Sequence, residues 1–370
     1  MKYLICAIVI VGCVKKAPDT VTQPVGEPKA QGMAVITSDY TTGEALLLWP
    51  GEPIKRVDVV PDARAVVPAE RPNDLVIVGR YGFDHLRILD RRTGAVKGEY
   101  SVGRGRNAQD ALFVTSEIVY VTNHESNALW VARIDANAQL VESKDLYFSS
   151  IGEKEAAPAR AYTMGRFGHF VVVSVQALDK AFVPGDSRVV VLDVNDPWNP
   201  KETSHLSLSC KNPVTDLVSL PDASILVGGA NKMGVYSELD GCVERLDLAG
   251  DGSISTKGAV VTEVALGGDI IALRLIDADT GVALVAASSE ESKAVLFSIS
   301  GARGVQKLGS FAGRGTDLLP FGKQIFVAVA DFLAPALALR DLDGKTPQSQ
   351  YVMPKDLLPP QQAVWLGEGR

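Results

Sequence analysis

Seven times along the chain an apolar run is followed by a polar turn and a second apolar run. The first arms centre on Ile36, Ile77, Tyr120, Val172, Leu226, Leu284 and Phe326, at successive intervals of 41, 43, 52, 54, 58 and 42 residues. The second arms lie at 45–49, 86–90, 129–135, 189–194, 242–248, 294–300 and 337–343. Apolar residues recur at period two and Val, Ile, Phe and Tyr dominate, which predicts strands and not helical repeats. The clearest copy spans Ile118 to Asp135: Ile118 to Val121, a polar Asn123 to Asn127 turn, then Leu129 to Val131, the pattern of a β-hairpin.

Repeats of this length, each holding several short strands, predict an all-β, seven-bladed β-propeller. The first unit, near Met33, has no strand ahead of it, whereas the run around Ala363 to Leu366 has no partner after it. The last run is therefore predicted to be the innermost strand of the first blade, pairing with Ala34 to Thr37 and closing the ring, which removes an open sheet edge.

Within these units, Tyr120-Val121-Thr122-Asn123, Ser126-Asn127, Leu129, Val131 and Ile134-Asp135 resemble the YVTN repeat of bacterial surface and periplasmic propellers. Asp84, Leu86, Ile88-Leu89-Asp90 and Thr93-Gly94 are similar to the second half of that repeat. The stretch from Val189 to Pro200, ending Asp196-Pro197-Trp198-Asn199-Pro200, resembles the LVIVP repeat. The resemblance implies a bacterial propeller that serves as scaffold, binding platform or, less often, enzyme; fold alone does not decide among these. The residues themselves read as turn formers: Asp90, Asp135, Asp193 and Thr93-Gly94 suit the turn into a fourth strand, and Asn123 and Asn127 suit bonding to turn backbone.

The chain has 370 residues, 46% hydrophobic, with net charge −7. No basic cluster occurs in its body, which argues against nucleic-acid binding. Lys2 precedes an apolar run from Tyr3 to Val11, too short to span a bilayer and suited to a signal peptide over residues 1–12. Ile10-Val11-Gly12-Cys13 resembles a bacterial lipobox, in which Cys13 would be lipidated and become the first mature residue. Residues 13–32, with Pro18, Pro24 and Pro28, have the composition of a flexible tether, leaving residues 33–370 as one propeller. These features predict a membrane-anchored lipoprotein outside the cytoplasm, in the periplasm or at the cell surface, with the outer membrane favoured. Cys210 and Cys242 are then either a disulfide or two buried thiols on neighbouring strands.

Candidate chemistry lies where the inner strands should begin. Gly103-Arg104-Gly105-Arg106 leads to Asp110, Cys210-Lys211 to Asp216, and Gly313-Arg314-Gly315 to Asp317. Arg104, Arg106, Arg160, Lys211 and Arg314 are expected around one mouth of the channel with Asp110, Asp216 and Asp317. One reading is a charged pocket for an anionic or polar ligand. The other is that each Asp caps its inner strand and pairs with the neighbouring Arg, tying blade to blade.

No metal-ligand spacing surrounds the four histidines, and haem, nucleotide and G-x-S-x-G fingerprints are absent, so neither metal nor cofactor is expected. The function expected is a monomeric binding or scaffold module for a protein, peptide or glycan, contacted through the enlarged loop Leu178 to Ser187 with Phe182 and Pro184. The alternative is a hydrolase or lyase at the channel mouth, where His124, Glu125 and the Asp–Arg ring are the only acid–base groups on offer.

Overall fold

The structure is a computed structural model that describes residues 32–151, 158–235, 238–331, 335–344, 349–352 and 357–367. Cys13, the signal segment and all but the last residue of the tether lie outside the described residues. Seven four-stranded antiparallel sheets form a β-propeller, as the repeat predicts.

The strand that each sequence unit announces most strongly is the second of its blade. Asp74–Gly79, Ile118–Asn123, Phe170–Val175 and Ser224–Gly229 are buried at every residue. Each such strand has a neighbouring blade on either face, so both sets of alternating side chains are enclosed. In blade 3, Val119 and Val121 pack toward blade 2 with Val76 and Val78, while Tyr120 packs toward blade 4 with Val171 and Val173. The core is accordingly divided into seven apolar clusters, one per blade interface. Fourth strands lie at the rim and read as polar: Lys201–Ser207 alternates exposed and half-buried positions.

The turn aspartates act on backbone. Asp90 Oδ1 accepts from the Thr93 amide at 2.8 Å and Asp135 Oδ1 from the Gln139 amide at 2.8 Å. Asn123 Nδ2 donates to Ala128 O, and Asn127 Oδ1 accepts from Ala159 N in the segment entering the next blade. Tyr120 Oη donates at 2.6 Å to Pro197 O, joining the Tyr-Val-Thr-Asn strand of blade 3 to the Asp-Pro turn of blade 4. Hydroxyls also stitch successive blades: Thr122 Oγ1 donates to Tyr162 O, Thr163 Oγ1 to Thr215 O and Thr316 Oγ1 to Pro360 O.

The ring closes through the C-terminal strand Pro360–Trp365, the innermost strand of blade 1. Ala34 faces Val364 and Val35 faces Ala363, with one register shift between Ile36 and Thr37. The strand includes Gln362, whose side chain accepts from Ala65 N at 2.7 Å and so binds the adjoining blade. Trp365 Nε1 donates to Pro320 O on the other side. One chain end thus contacts blades 2 and 7 as well as its own.

Cys210 and Cys242 are disulfide-bonded with a Cα–Cα distance of 5.3 Å. The bond joins the segment entering blade 5 to the start of that blade's third strand, Cys242–Leu248.

Candidate functional site

Two features occupy the axis of the ring, and the charged residues expected at the mouth divide between them and the rim. The first is a belt of ion pairs across the channel. Arg64, on the inner strand Ala63–Val66 of blade 2, pairs with Asp110 at 3.0 Å and with Asp216. Arg274, on the inner strand Asp269–Leu275 of blade 6, pairs with Asp216 and with Asp317, each at 2.9 Å. The second Asp110 oxygen accepts from Met164 N of blade 4, and the second Asp317 oxygen from Ala363 N of blade 1. Five side chains and two amides therefore connect the inner strands, or the segments entering them, of all seven blades.

This belt contains three carboxylates and two guanidiniums, and their titration reflects the imbalance. Burial works against the Asp216 charge, but Arg64 and Arg274 on either side hold that carboxyl well below the usual range. For Asp110 and Asp317 burial prevails, each having one guanidinium and the charge of Asp216 nearby, and both carboxyls are pushed up. Every carboxylate is engaged by protein groups, as the blade-to-blade reading requires. Its choice of partner was mistaken, however: the arginines are Arg64 and Arg274 and not the sequence neighbours Arg106 and Arg314. Arg106 instead pairs with Asp145 on the outer strand Leu140–Tyr147, drawn away from the axis, and Arg104 and Lys211 are exposed.

The second feature is a cavity of about 630 Å³ at the end of the channel where the inner strands begin. Asp269 and Arg314, the first residues of the inner strands of blades 6 and 7, line it. So do Leu178, Phe182 and Val183 of the enlarged blade 4 loop, Asn212 of the segment entering blade 5, and Lys232 to Val235 between the second and third strands of blade 5.

Arg160 and His124 stand behind this wall. Arg160 is buried; its Nε donates to Leu178 O at 2.9 Å and its guanidinium lies 5.0 Å from the Phe182 ring centroid, holding the loop in place. Its Nη1 donates to both Glu125 Oε1 and His124 Nδ1. With Nδ1 accepting, His124 Nε2 donates to Gln176 Oε1 at 2.9 Å, and Gln176 in turn donates to Pro213 O. Burial lowers the His124 pKa, Gln176 opposes the shift and Arg160 reinforces it. The imidazole is thus a neutral link in a structural chain, screened from the cavity by Gln176.

Two residues of the lining each hold a buried polar atom that stands out. Asp269 is buried; Oδ2 accepts from Gly234 N at 2.6 Å, and Oδ1 has no hydrogen-bond partner among the described residues. Asn212 Nδ2 donates to Ala230 O at 3.1 Å, while its Oδ1 is likewise buried without a partner. Burial raises the Asp269 carboxyl, the Gly234 amide opposes the shift and Asp240 adds to it. Asp269, Asn212, Arg64 and Arg274 were not identified from sequence. The 58-residue interval between Leu226 and Leu284 was the available signal, since it contains the loop that covers Asp269.

A smaller cavity of about 350 Å³ lies at the opposite end, lined by apolar side chains including Met33, Trp49, Phe326 and Trp365, with no converging polar group. Among the described residues there is no cluster of three or more metal-ligating side chains, and no helix is long and apolar enough to cross a membrane.

No protein-family model matches the sequence, and no curated protein matches it. Solved structures do resemble it in fold. The periplasmic gluconolactonase PpgL of Pseudomonas aeruginosa superposes with a TM-score of 0.64 at 11% identity, covering 92% of this chain and 99% of that one. A protein from Lactobacillus plantarum gives 0.62 at 13% identity, covering 90% and 99%. The WD40 domain of Neurospora crassa Pan2 gives 0.52 at 13% identity, covering 80% of each chain. At these identities the likeness is one of fold.

Proposed function

We propose that this protein is a lipid-anchored, extracytoplasmic binding module that takes a segment of a protein partner into the cavity at the channel mouth. The observation that carries this reading is the exposed apolar surface there. Phe182, Val183, Met233 and Val235 are 65, 50, 46 and 38% exposed, and all four line one cavity. Exposed apolar side chains gathered at a concavity mark interaction sites more often than single ones scattered over a surface. Anchoring through Cys13 and an oxidising compartment fit the Cys210–Cys242 disulfide. The enlarged loop expected to make contact supplies one wall of the cavity, and the three carboxylates of the belt are all engaged by protein groups.

A photo-crosslinking residue placed at Phe182 in cells tests the site, with Val96 on the rim of blade 2, also more than half exposed, as the control. Discrete adducts from position 182 and none from position 96 are expected. Equal labelling at both positions, or none at 182, would remove the support for this cavity as the docking site.

A second reading, hydrolysis at the same cavity, draws on the raised Asp269 carboxyl and on the fold shared with a protein described as a gluconolactonase. It lacks a histidine in the cavity lining. Turnover of glucono-δ-lactone above the buffer rate, abolished by Asp269→Asn, would establish it.

A further inference from the structure

Aromatic side chains supply most of the smaller cavity, at the end of the channel opposite the mouth. Trp365 ends the innermost strand of blade 1, and Phe321 and Phe326 belong to the first two strands of blade 7, Arg314–Phe321 and Gln324–Ala330. These three rings pack together, with centroids 5.1, 5.9 and 6.1 Å apart. Trp49 and Pro50, which follow the third strand of blade 1, Gly43–Leu48, complete the aromatic lining. Every lining side chain is apolar, and the three rings and Trp49 are only half-buried. The chain enters the ring at this cavity. Gly32 O accepts from Leu366 N at 2.8 Å, a Cβ on Gly32 would overlap the Trp49 ring, and Met33 lines the cavity. Whatever precedes Gly32 therefore departs from the cavity's edge.

What precedes it is proline-bearing, with apolar residues regularly placed: Val21, Pro24, Val25 and Pro28, separated by Thr22-Gln23 and Gly26-Glu27. In a polyproline II helix, with three residues per turn, Val21 and Pro24 share one edge and Val25 and Pro28 the next. Those two edges form one apolar side, and Gln23, Gly26 and Lys29 occupy the third. Helices of this kind dock in aromatic-lined grooves, because their shape is set before binding and little entropy is lost. We propose that the segment Val21 to Pro28 folds back as a polyproline II turn and seats Pro24 and Val25 in this cavity, against Trp49 and the cluster of Phe321, Phe326 and Trp365. The attachment of this segment selects it over a foreign peptide. Six residues, Gly26 to Gln31, separate Val25 from Gly32; extended, they reach about 20 Å, which suffices to turn back. So short a linker holds the segment at a local concentration on the order of millimolar, at which even a weak contact is populated. The inference does not depend on what the mouth cavity takes. Its consequence is one of length: if Cys13 carries the lipid, seating Pro24 shortens the reach from Cys13 to the ring from about 65 Å to about 40 Å.

The test places a benzophenone side chain at the exposed position Pro50 of the tethered protein in its own membrane, followed by irradiation and peptide mapping. Adducts on residues 21–25 are expected, and Val25→Asp, which puts a charge into the apolar lining, should remove most of them. Nearness in sequence alone would give the same adducts in both proteins, and that result overturns the inference. So do adducts on lipid, adducts on a second copy, or none. Trypsin supplies a second readout, through cleavage after Lys29. Val25→Asp should speed that cleavage about three-fold, as expected for a segment seated about two-thirds of the time. The variant lies outside the ring, so its cavity and melting temperature should stay those of the parent, which separates loss of docking from loss of fold. An unchanged cleavage rate overturns the inference.

Discussion

At the scale of single residues, what separates structural from binding groups is whether a buried polar atom already has its partners. Asp216 bridges two guanidiniums, so Asp216→Asn should strip a charge from both. With about a third of its side chain open to the channel, the expected cost is about 3 kcal/mol, the lower end for breaking a buried ion pair. Asp110→Asn and Asp317→Asn should cost less, about 1–2 kcal/mol, because the protein already disfavours their ionised forms. Chemical denaturation of the three variants checks the order; a larger loss from Asp110→Asn than from Asp216→Asn would contradict it. Glu263 gives a pH signature. Burial pushes its carboxyl up from an ordinary 4.5 to about 7, although the Ile270 and Gly241 amides favour the charge. A folded-state pKa above the unfolded one contributes stability that is whole below about 4.5 and is lost as pH rises through about 7. The melting temperature should therefore fall between about pH 5 and about pH 7, and Glu263→Gln, which cannot ionise, should flatten that slope whatever its absolute stability.

At the scale of the element, the second and third strands were legible in sequence because packing between two neighbouring blades demands long apolar runs. Ile118–Asn123 and Ala128–Ile134 fall where the hairpin pattern puts them. Inner strands were legible only in part: those of blades 3, 5 and 7 lie where Asp110, Asp216 and Asp317 were expected to introduce them, whereas Ala63–Val66 with Arg64 and Asp269–Leu275 with Arg274 were not read, since their side chains face a channel and each other. For the same reason the partners of Asp110, Asp216 and Asp317 could not be read from neighbouring letters. Arg64 and Asp216 are 152 positions apart, and only ring geometry brings them together. The C-terminal inner strand was read for a different reason, because its apolar letters lacked a partner in their own unit. A chain cut before Gln361 should lose Trp365, the Gln362–Ala65 bonds and the pairing with Met33–Thr37, and a melting temperature equal to that of the full chain would contradict this closure. Cys210 and Cys242, 32 positions apart, close a loop whose constraint contributes about 3–4 kcal/mol in the loop-entropy account. Cys242→Ser should lower stability by about that amount under oxidising conditions and change little once the parent protein is fully reduced.

At the scale of the molecule, the proposed reading assigns location to an anchor at Cys13 and recognition to the mouth cavity. If Cys13 carries the lipid, Cys13→Ser should move the protein from the membrane fraction to the soluble one; continued membrane residence would count against the lipid. The belt across the channel has a consequence for how such a ring is made. Its charges come from positions 64, 110, 216, 274 and 317, and its last amide comes from Ala363. An emerging chain can complete every hairpin early, but it cannot supply the last hydrogen bond of the belt until its final strand arrives. Up to that moment a compact partial ring would enclose Asp317 without the Ala363 amide, a condition that favours keeping the middle open to water. Assembly should then be slow, late and all at once, and a ring damaged at one blade should come apart as a whole instead of shedding the blade that was damaged.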